Sequence, residues 1–170
     1  MSSETVPSAV ANLDAHRFRR ACARFATGVA IVTILDGDGA PHGMTVNSFT
    51  SVSLHPPLFL VCIDHRASIY PNFRKGRSLA INVLRAEQRD LSVRFARPGA
   101  SRFHLTDWKA GVTGAPLLPG VLATLEGKIS HTVEAGDHLI VLAEALNVTA
   151  GTGHPLAYFE SKYHTLGGLP

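Results

Sequence analysis

The sequence is poor in the residues that mark several protein classes. Among 170 residues only Cys22 and Cys62 are cysteines, too few for a disulfide framework. They read as reduced thiols acting as small hydrophobes, which suits a cytoplasmic protein. Charged residues are 17% and hydrophobic residues 45%, which excludes a disordered chain, a coiled coil and a collagen-like repeat. No apolar run approaches the roughly 18 residues of a membrane span, so no membrane partner is expected. Aromatic residues are 7% and are not interleaved with a basic patch, so no nucleic-acid partner is expected either. The net charge of +3 permits anionic small molecules without implying a polyanion.

Common catalytic signatures are missing as well. Gly37-Asp38-Gly39 and Gly151-Thr152-Gly153 each begin a dinucleotide-binding pattern, but His42 and Leu156 stand where its third glycine belongs. Neither a P-loop nor a Gly-x-Ser-x-Gly elbow is present. The nine histidines form no zinc-like spacing, so no metal is expected.

What is present is a series of strand-sized apolar runs. Residues 1–13 are small and polar, lack the apolar core of a secretory signal and read as a loose tail. Residues 14–170 are of a length that fits one domain. Asp14 is a candidate helix cap, and Phe18, Ala21, Cys22 and Phe25 recur at helical spacing until Gly28. Strands are expected at Val29–Leu35, His42–Phe49, Leu58–Asp64, Leu79–Leu84, Val121–Val133, His138–Thr149 and Pro155–Phe159. Ser68 to Arg77 reads as a short helix and loop, Glu87–Ala96 as a helix stopped by Pro98-Gly99, and Ala100–Pro119 as a long structured loop. Strands without βαβ alternation favour a closed or partly closed barrel over a doubly wound sheet.

The unusual segment is Gly43-Met44-Thr45-Val46-Asn47-Ser48-Phe49-Thr50-Ser51-Val52-Ser53, dense in small hydroxyl and amide side chains and followed by Pro56-Pro57. Such groups can hydrogen-bond the edge of a planar heterocycle or surround a phosphate with neutral donors. An exposed strand with merely solvated hydroxyls has the same composition.

The wider pattern resembles the short-chain flavin reductase family, the reductase partners of two-component flavin monooxygenases. The resemblance rests on Phe25 to Val29 with Val32-Thr33, Gly43 to Ser53 with Pro56-Pro57, and Cys62-Ile63-Asp64 with Ser68. It continues through Ala80 to Leu84, Gln88, Leu91-Ser92, Phe95-Ala96, Gly136-Asp137-His138, Pro155-Leu156 and Tyr163. It implies a mainly β fold, a six-stranded Greek-key split barrel with a few flanking helices, working as a homodimer. It implies reduction of FMN or FAD by NADH or NADPH and supply of reduced flavin to a partner monooxygenase. By position, Thr45, Val46, Asn47 and Ser48 would line the isoalloxazine, and Ser51, Val52 and Ser53 would approach the phosphate. Cys62, Ile63 and Asp64 would offer mainly backbone groups and Ser68 a phosphate or ribitol contact. Phe95, Ala96 and Arg97 would lie near the phosphate or an adenine. His138 would face the nicotinamide, as the one candidate catalytic residue.

Three departures from the family pattern stand out: Leu125-Glu126-Gly127 replaces a Leu-Glu-Cys triplet, Ala143-Glu144-Ala145 lacks a usual glycine, and Ser161-Lys162 stands where a glycine precedes Tyr163. Arg74, Lys75 and Arg77 read as a solvated cluster with one candidate phosphate partner, and Trp108 as a packing anchor. The competing functions are a split-barrel flavoprotein that holds its flavin tightly and acts on another substrate, and a non-enzymatic electron carrier.

Overall fold

Apolar, β-branched runs form the strands, as their side chains favour a pleated, buried surface. The structure is a computed structural model and describes residues 13–97, 99 and 102–166. The proposed tail before Leu13 and the helix stop at Pro98 lie outside the described residues. In chain order the elements are α1 (Ala15–Cys22), β1 (Thr27–Gly28), β2 (Ala30–Leu35), β3 (Pro41–Val46), β4 (Thr50–Leu54), β5 (Pro57–Asp64) and β6 (Ser78–Val83). Then follow α2 (Arg89–Ala96), β7 (Lys109–Ala110), β8 (Pro116–Leu117), β9 (Ala123–Ala135), β10 (His138–Ala150), β11 (Leu156–Phe159) and β12 (Lys162–Thr165).

Seven antiparallel strands form the main sheet in the order β3-β2-β6-β9-β10-β5-β4. Flat, such a sheet would hold its edges about 29 Å apart, at ~4.8 Å per strand. Yet β3 and β4 are the two edges, and the link from Val46 to Thr50 spans about 14 Å at most. The sheet must therefore roll into a barrel, whose ladder stays open at the β3/β4 seam. The connection from β5 to β6 crosses over β10 and β9, a Greek-key arrangement. The mainly β, split-barrel reading of the sequence thus holds, with one strand more than expected. The added strand is β4, because the hydroxyl-rich segment breaks after Val46 and pairs again from Thr50 against Leu60.

Strand β2 is buried on both faces, which explains its unbroken apolar run. Val32 and Ile34 join Val61, Ile63, Ile81 and Val141 in the barrel interior. Val29 and Ile31 pack outside it with Leu84, Phe95, Leu118 and Leu156, beneath α2 and β11. Two buried polar groups fasten the long loop to the barrel. Asn82 Nδ2 donates to Ile31 O at 3.2 Å and its Oδ1 accepts from Leu118 N at 2.9 Å. Glu126 is fully buried and accepts from Thr113 N (2.9 Å), the Thr113 hydroxyl (2.9 Å) and Asn147 Nδ2 (2.8 Å).

Two family departures acquire physical reasons. A Cβ at Gly127 would lie 2.6 Å from Glu144 O and 2.8 Å from Phe59 Cε1, so no larger residue fits as packed. The β11–β12 turn places Glu160 and Ser161 at φ of 49° and 61°, the left-handed region in which glycine is unstrained. The expected helical stripe of Phe18, Ala21, Cys22 and Phe25 is not covered: α1 ends at Cys22 and buries none of its residues. Cys22 is exposed, and Cys62 is half-buried.

Burial raises the Glu126 carboxyl, but the hydrogen bonds from Thr113, Asn147 and Val112 outweigh it and hold the group below its ordinary 4.5. A lowered folded value means the stabilisation is complete above pH 4.5 and fades as pH falls through that folded value. Glu126→Gln should cost roughly 1–3 kcal/mol at neutral pH by denaturant unfolding. The gap to the unsubstituted chain should narrow as pH drops below 4.5.

Candidate active site

Beside the open seam, β3, the turn after β5 and the end of α2 enclose a cleft of 580 Å³. Thr45 reaches it from β3, Asp64, Arg66 and Ser68 from the end of β5 and its turn, and Phe95 and Ala96 from α2. Arg102 closes one wall. Alternation along β3 sends Met44 and Val46 toward the barrel core while Gly43 and Thr45 face α2. Gly43 is required there: a Cβ would stand 2.9 Å from Phe95 Cε1. The Thr45 hydroxyl donates to Ser92 O at 2.6 Å, which leaves it only as an acceptor for any further partner. An adjoining recess of 220 Å³ continues past Thr45 and Ala96 to Val46, Asn47, Tyr158 and Tyr163.

One end of the cleft is charged. Arg66 donates to both Asp64 oxygens, from Nε at 3.1 Å and Nη2 at 2.7 Å. The Arg66 hydrogen bonds hold the Asp64 carboxyl well below the usual carboxylate range, with a smaller contribution from His138. His138 lies directly across the ladder from Asp64, because β10 pairs with β5 in that register. Its Nδ1 is 2.7 Å from Asp137 Oδ1, and this contact lowers the Asp137 carboxyl.

Ser48 spans the seam. Its hydroxyl accepts from Cys62 N at 3.1 Å and donates to Cys62 O at 3.2 Å. It occupies the edge of β5 beyond Thr50, the first residue of β4 to pair there. The structure therefore brings together Thr45, Val46, Asn47, Asp64, Ser68, Phe95 and Ala96 as walls, with Ser48 and Cys62 behind them and His138 at the charged end. Ile63 is buried in the barrel core. Arg97 is exposed and offers its carbonyl to Arg102. Ser51 and Val52 are exposed on β4 and Ser53 half-buried, outside these recesses. Arg74 and Lys75 are exposed, and Arg77 is spent on Leu35 O and Asp36 O, at 2.6 and 2.7 Å. None of the three reaches the cleft. Trp108 packs edge-on against Phe103 at 6.3 Å.

Sequence reasoning gave no site role to Arg66, Arg102, Tyr158 or Tyr163, although Tyr163 was among the residues that carry the resemblance. Arg66 had a local signal, since Asp64 two residues earlier can cap its turn and pair with its side chain. Arg102 had none, because its partners Gly43 and Arg97 meet it only through the fold.

Residues 22–167 match the family described as the flavin reductase like domain, and the chain belongs to that family. The reductase component of the flavin-dependent trigonelline monooxygenase of Acinetobacter baylyi is 42% identical over 147 residues, 86% of this chain and 47% of that protein. The FMN reductase (NADH) SmoA of Agrobacterium fabrum is 42% identical over 145 residues, 85% of this chain and 82% of that one. The crystallised NADH:FAD oxidoreductase SgcE6 of Streptomyces globisporus, in complex with NAD and FAD fragments, has 34% identity. It superposes with a TM-score of 0.84 over 97% of this chain and 98% of its own. The chain spans about half the length of some curated relatives it matches.

Ser48→Ala leaves a backbone N–H and C=O of β5 without their partner. It should lower stability by roughly 1–3 kcal/mol by denaturant unfolding. Ser48→Thr, which keeps the hydroxyl, should recover most of that loss.

Proposed function

We propose that this chain is an NADH-dependent flavin reductase that reduces FMN or FAD and supplies reduced flavin to a partner monooxygenase. The flavin reductase-like domain assigned to residues 14–170 would carry this activity. The observation that carries this reading is the 580 Å³ cleft beside the seam, a size suited to a cofactor at ~300–1,000 Å³. Its walls fit the group: the Thr45 hydroxyl on β3, the Ser68 hydroxyl after β5, a buried aromatic on α2 and a guanidinium for phosphate, with the Asn47 amide in the adjoining recess. The named functions of relatives at about 40% identity point the same way.

When bound, the flavin and the nicotinamide supply the hydride chemistry themselves. The chain orients them and excludes water. Thr45 presents its lone pairs and Asn47 its amide to the polar edge of a ring, while Phe95 and Ala96 give the apolar wall. Ser68 and Arg102 sit where an anionic tail leaves the cleft. Arg66 is neutralised by Asp64, which leaves Arg102 as the cleft's available guanidinium for that tail. His138, beside Asp64, positions the nicotinamide. A hydride step needs no general base, which accords with this set of side chains. Ser48 holds the seam; Ser51, Val52 and Ser53 lie on β4 outside both recesses and stand as the phosphate contact that the sequence resemblance implies, which the double substitution below tests against Arg102. Cys62 and Ile63 contribute backbone and Arg97 its position at the end of α2.

The chain works as a homodimer. Phe18 and Phe25 are 58% and 77% exposed around α1, and Leu54, Leu146 and Val148 stand exposed on the sheet. Monomers seldom leave so much apolar surface open. It acts in the cytoplasm, where NADH and reduced thiols are available. Among the described residues no helix is long and apolar enough to cross a membrane.

NADH oxidation, followed by absorbance with FMN, FAD or riboflavin added in turn, tests the activity; oxidation with none of them overturns it. His138→Ala should raise KM for NADH about 2- to 12-fold, the loss of one hydrogen bond, with KM for flavin unmoved. Ser51→Ala combined with Ser53→Ala should weaken flavin binding by a similar factor in a fluorescence titration. Unchanged affinity removes that pair from the site.

A further inference from the structure

The cleft does not end at Ser68 and Arg102. A recess of 220 Å³ opens on the far side of these two residues, walled by Pro41, His42, Ile69 and Phe103. No role assigned above uses it. Resting on the flavin reductase reading, we propose that this recess takes the adenosine half of FAD and that the chain selects FAD over FMN.

The order of chemistry along the surface matches the order of groups in FAD. The large cleft has polar and aromatic walls for a tricyclic ring. At the neck, Arg102 gives Nε and Nη2 to Arg97 O (3.0 and 2.6 Å) and Nη1 to Gly43 O (2.6 Å). Those bonds fix the guanidinium plane, and each Nη carries a second N–H that no described residue accepts. A diphosphate is the anion that would pass such a neck, met by a charged donor and the Ser68 hydroxyl. Beyond it the walls turn apolar. Phe103 stands edge-on to Phe95 at 5.1 Å and to Trp108 at 6.3 Å, so its ring is set before any ligand arrives. FMN stops at its phosphate and would leave this space to water.

His42 supplies the polar contact that a purine needs. Its Nε2 is 2.8 Å from Asp36 Oδ2. Asp36 is held ionised, chiefly by that same hydrogen bond, so it only accepts. The contact fixes the imidazole ring on the wall of the recess. A histidine on a wall of the recess, held by Asp36, suits the polar edge of a purine.

The test is equilibrium binding of FAD, FMN and riboflavin by fluorescence quenching. The unsubstituted chain should bind FAD at least about tenfold tighter than FMN. Pro41→Trp fills the recess from an edge strand, and Phe103→Ala removes its aromatic wall. Each should bring FAD down to the affinity of FMN while FMN stays unchanged, with folding checked by circular dichroism. Should Phe103→Ala fail to fold, Pro41→Trp decides. Equal affinity for FAD and FMN in the unsubstituted chain overturns the proposal, as do variants that weaken both flavins alike. Binding of FMN and riboflavin without an FAD advantage refutes the recess alone, whereas failure of all three to bind refutes the flavin site itself.

Discussion

The link of Asn47, Ser48 and Phe49 joins the two edges of one seven-stranded sheet, and this covalent shortcut governs the rest of the molecule. Edges that a flat sheet would keep far apart must come together, so the sheet rolls. The roll creates an interior that Val32, Ile34, Val61, Ile63, Ile81 and Val141 fill. It also leaves a seam where no ladder closes, and there Ser48 supplies to β5 the donor and acceptor that a neighbouring strand would otherwise provide. Unpaired strand edges invite association, and a side chain that satisfies one is a local remedy for that hazard.

The candidate cleft is a consequence of the same seam. β3 is an edge strand, and α2 packs across its outer face with Phe95 against Gly43, next to the edge that has no strand partner. The groove between strand and helix is lined by whatever residues face α2, which are small or polar. Rigid elements on two sides and a buried polar network behind Thr45 and Ser92 keep that groove preformed. Arg66 balances the charge of Asp64, and Asp137 is hydrogen-bonded to His138. Arg102 has no carboxylate partner among the described residues and makes its bonds to carbonyls, a state in which burial pulls its guanidinium below the ordinary value.

Much of the barrel was legible because burial writes itself into strand composition. The runs at β2, β5, β6, β9 and β10 are apolar where both faces are covered, and Gly136-Asp137 marks the tight turn between the two longest strands. Strand β4 was not legible: its mostly exposed residues carry no burial pattern, and it forms by pairing with Pro57–Leu60 on the edge of β5 opposite β10. The stripe on α1 was legible as amphipathic but not as uncovered, since a helical period records an apolar face without naming what covers it. Of the residues that line the two recesses, Thr45, Asn47, Asp64, Ser68 and Phe95 were named through the resemblance. Arg102 was not, because its position depends on contacts to Gly43 and Arg97 that no local pattern encodes. The buried Glu126 was likewise noticed only as part of a triplet; its partners Thr113 and Asn147 lie 13 and 21 residues away.

The central claim is that the groove between β3 and α2 holds the flavin ring. A crystal structure of this chain grown with excess oxidised FAD tests it most directly. The account predicts electron density for the tricyclic ring against Thr45 and Ala96, with its phosphates at Ser68 and Arg102. Ring density elsewhere on the chain, or a groove filled by the protein's own side chains at saturating FAD, would contradict it.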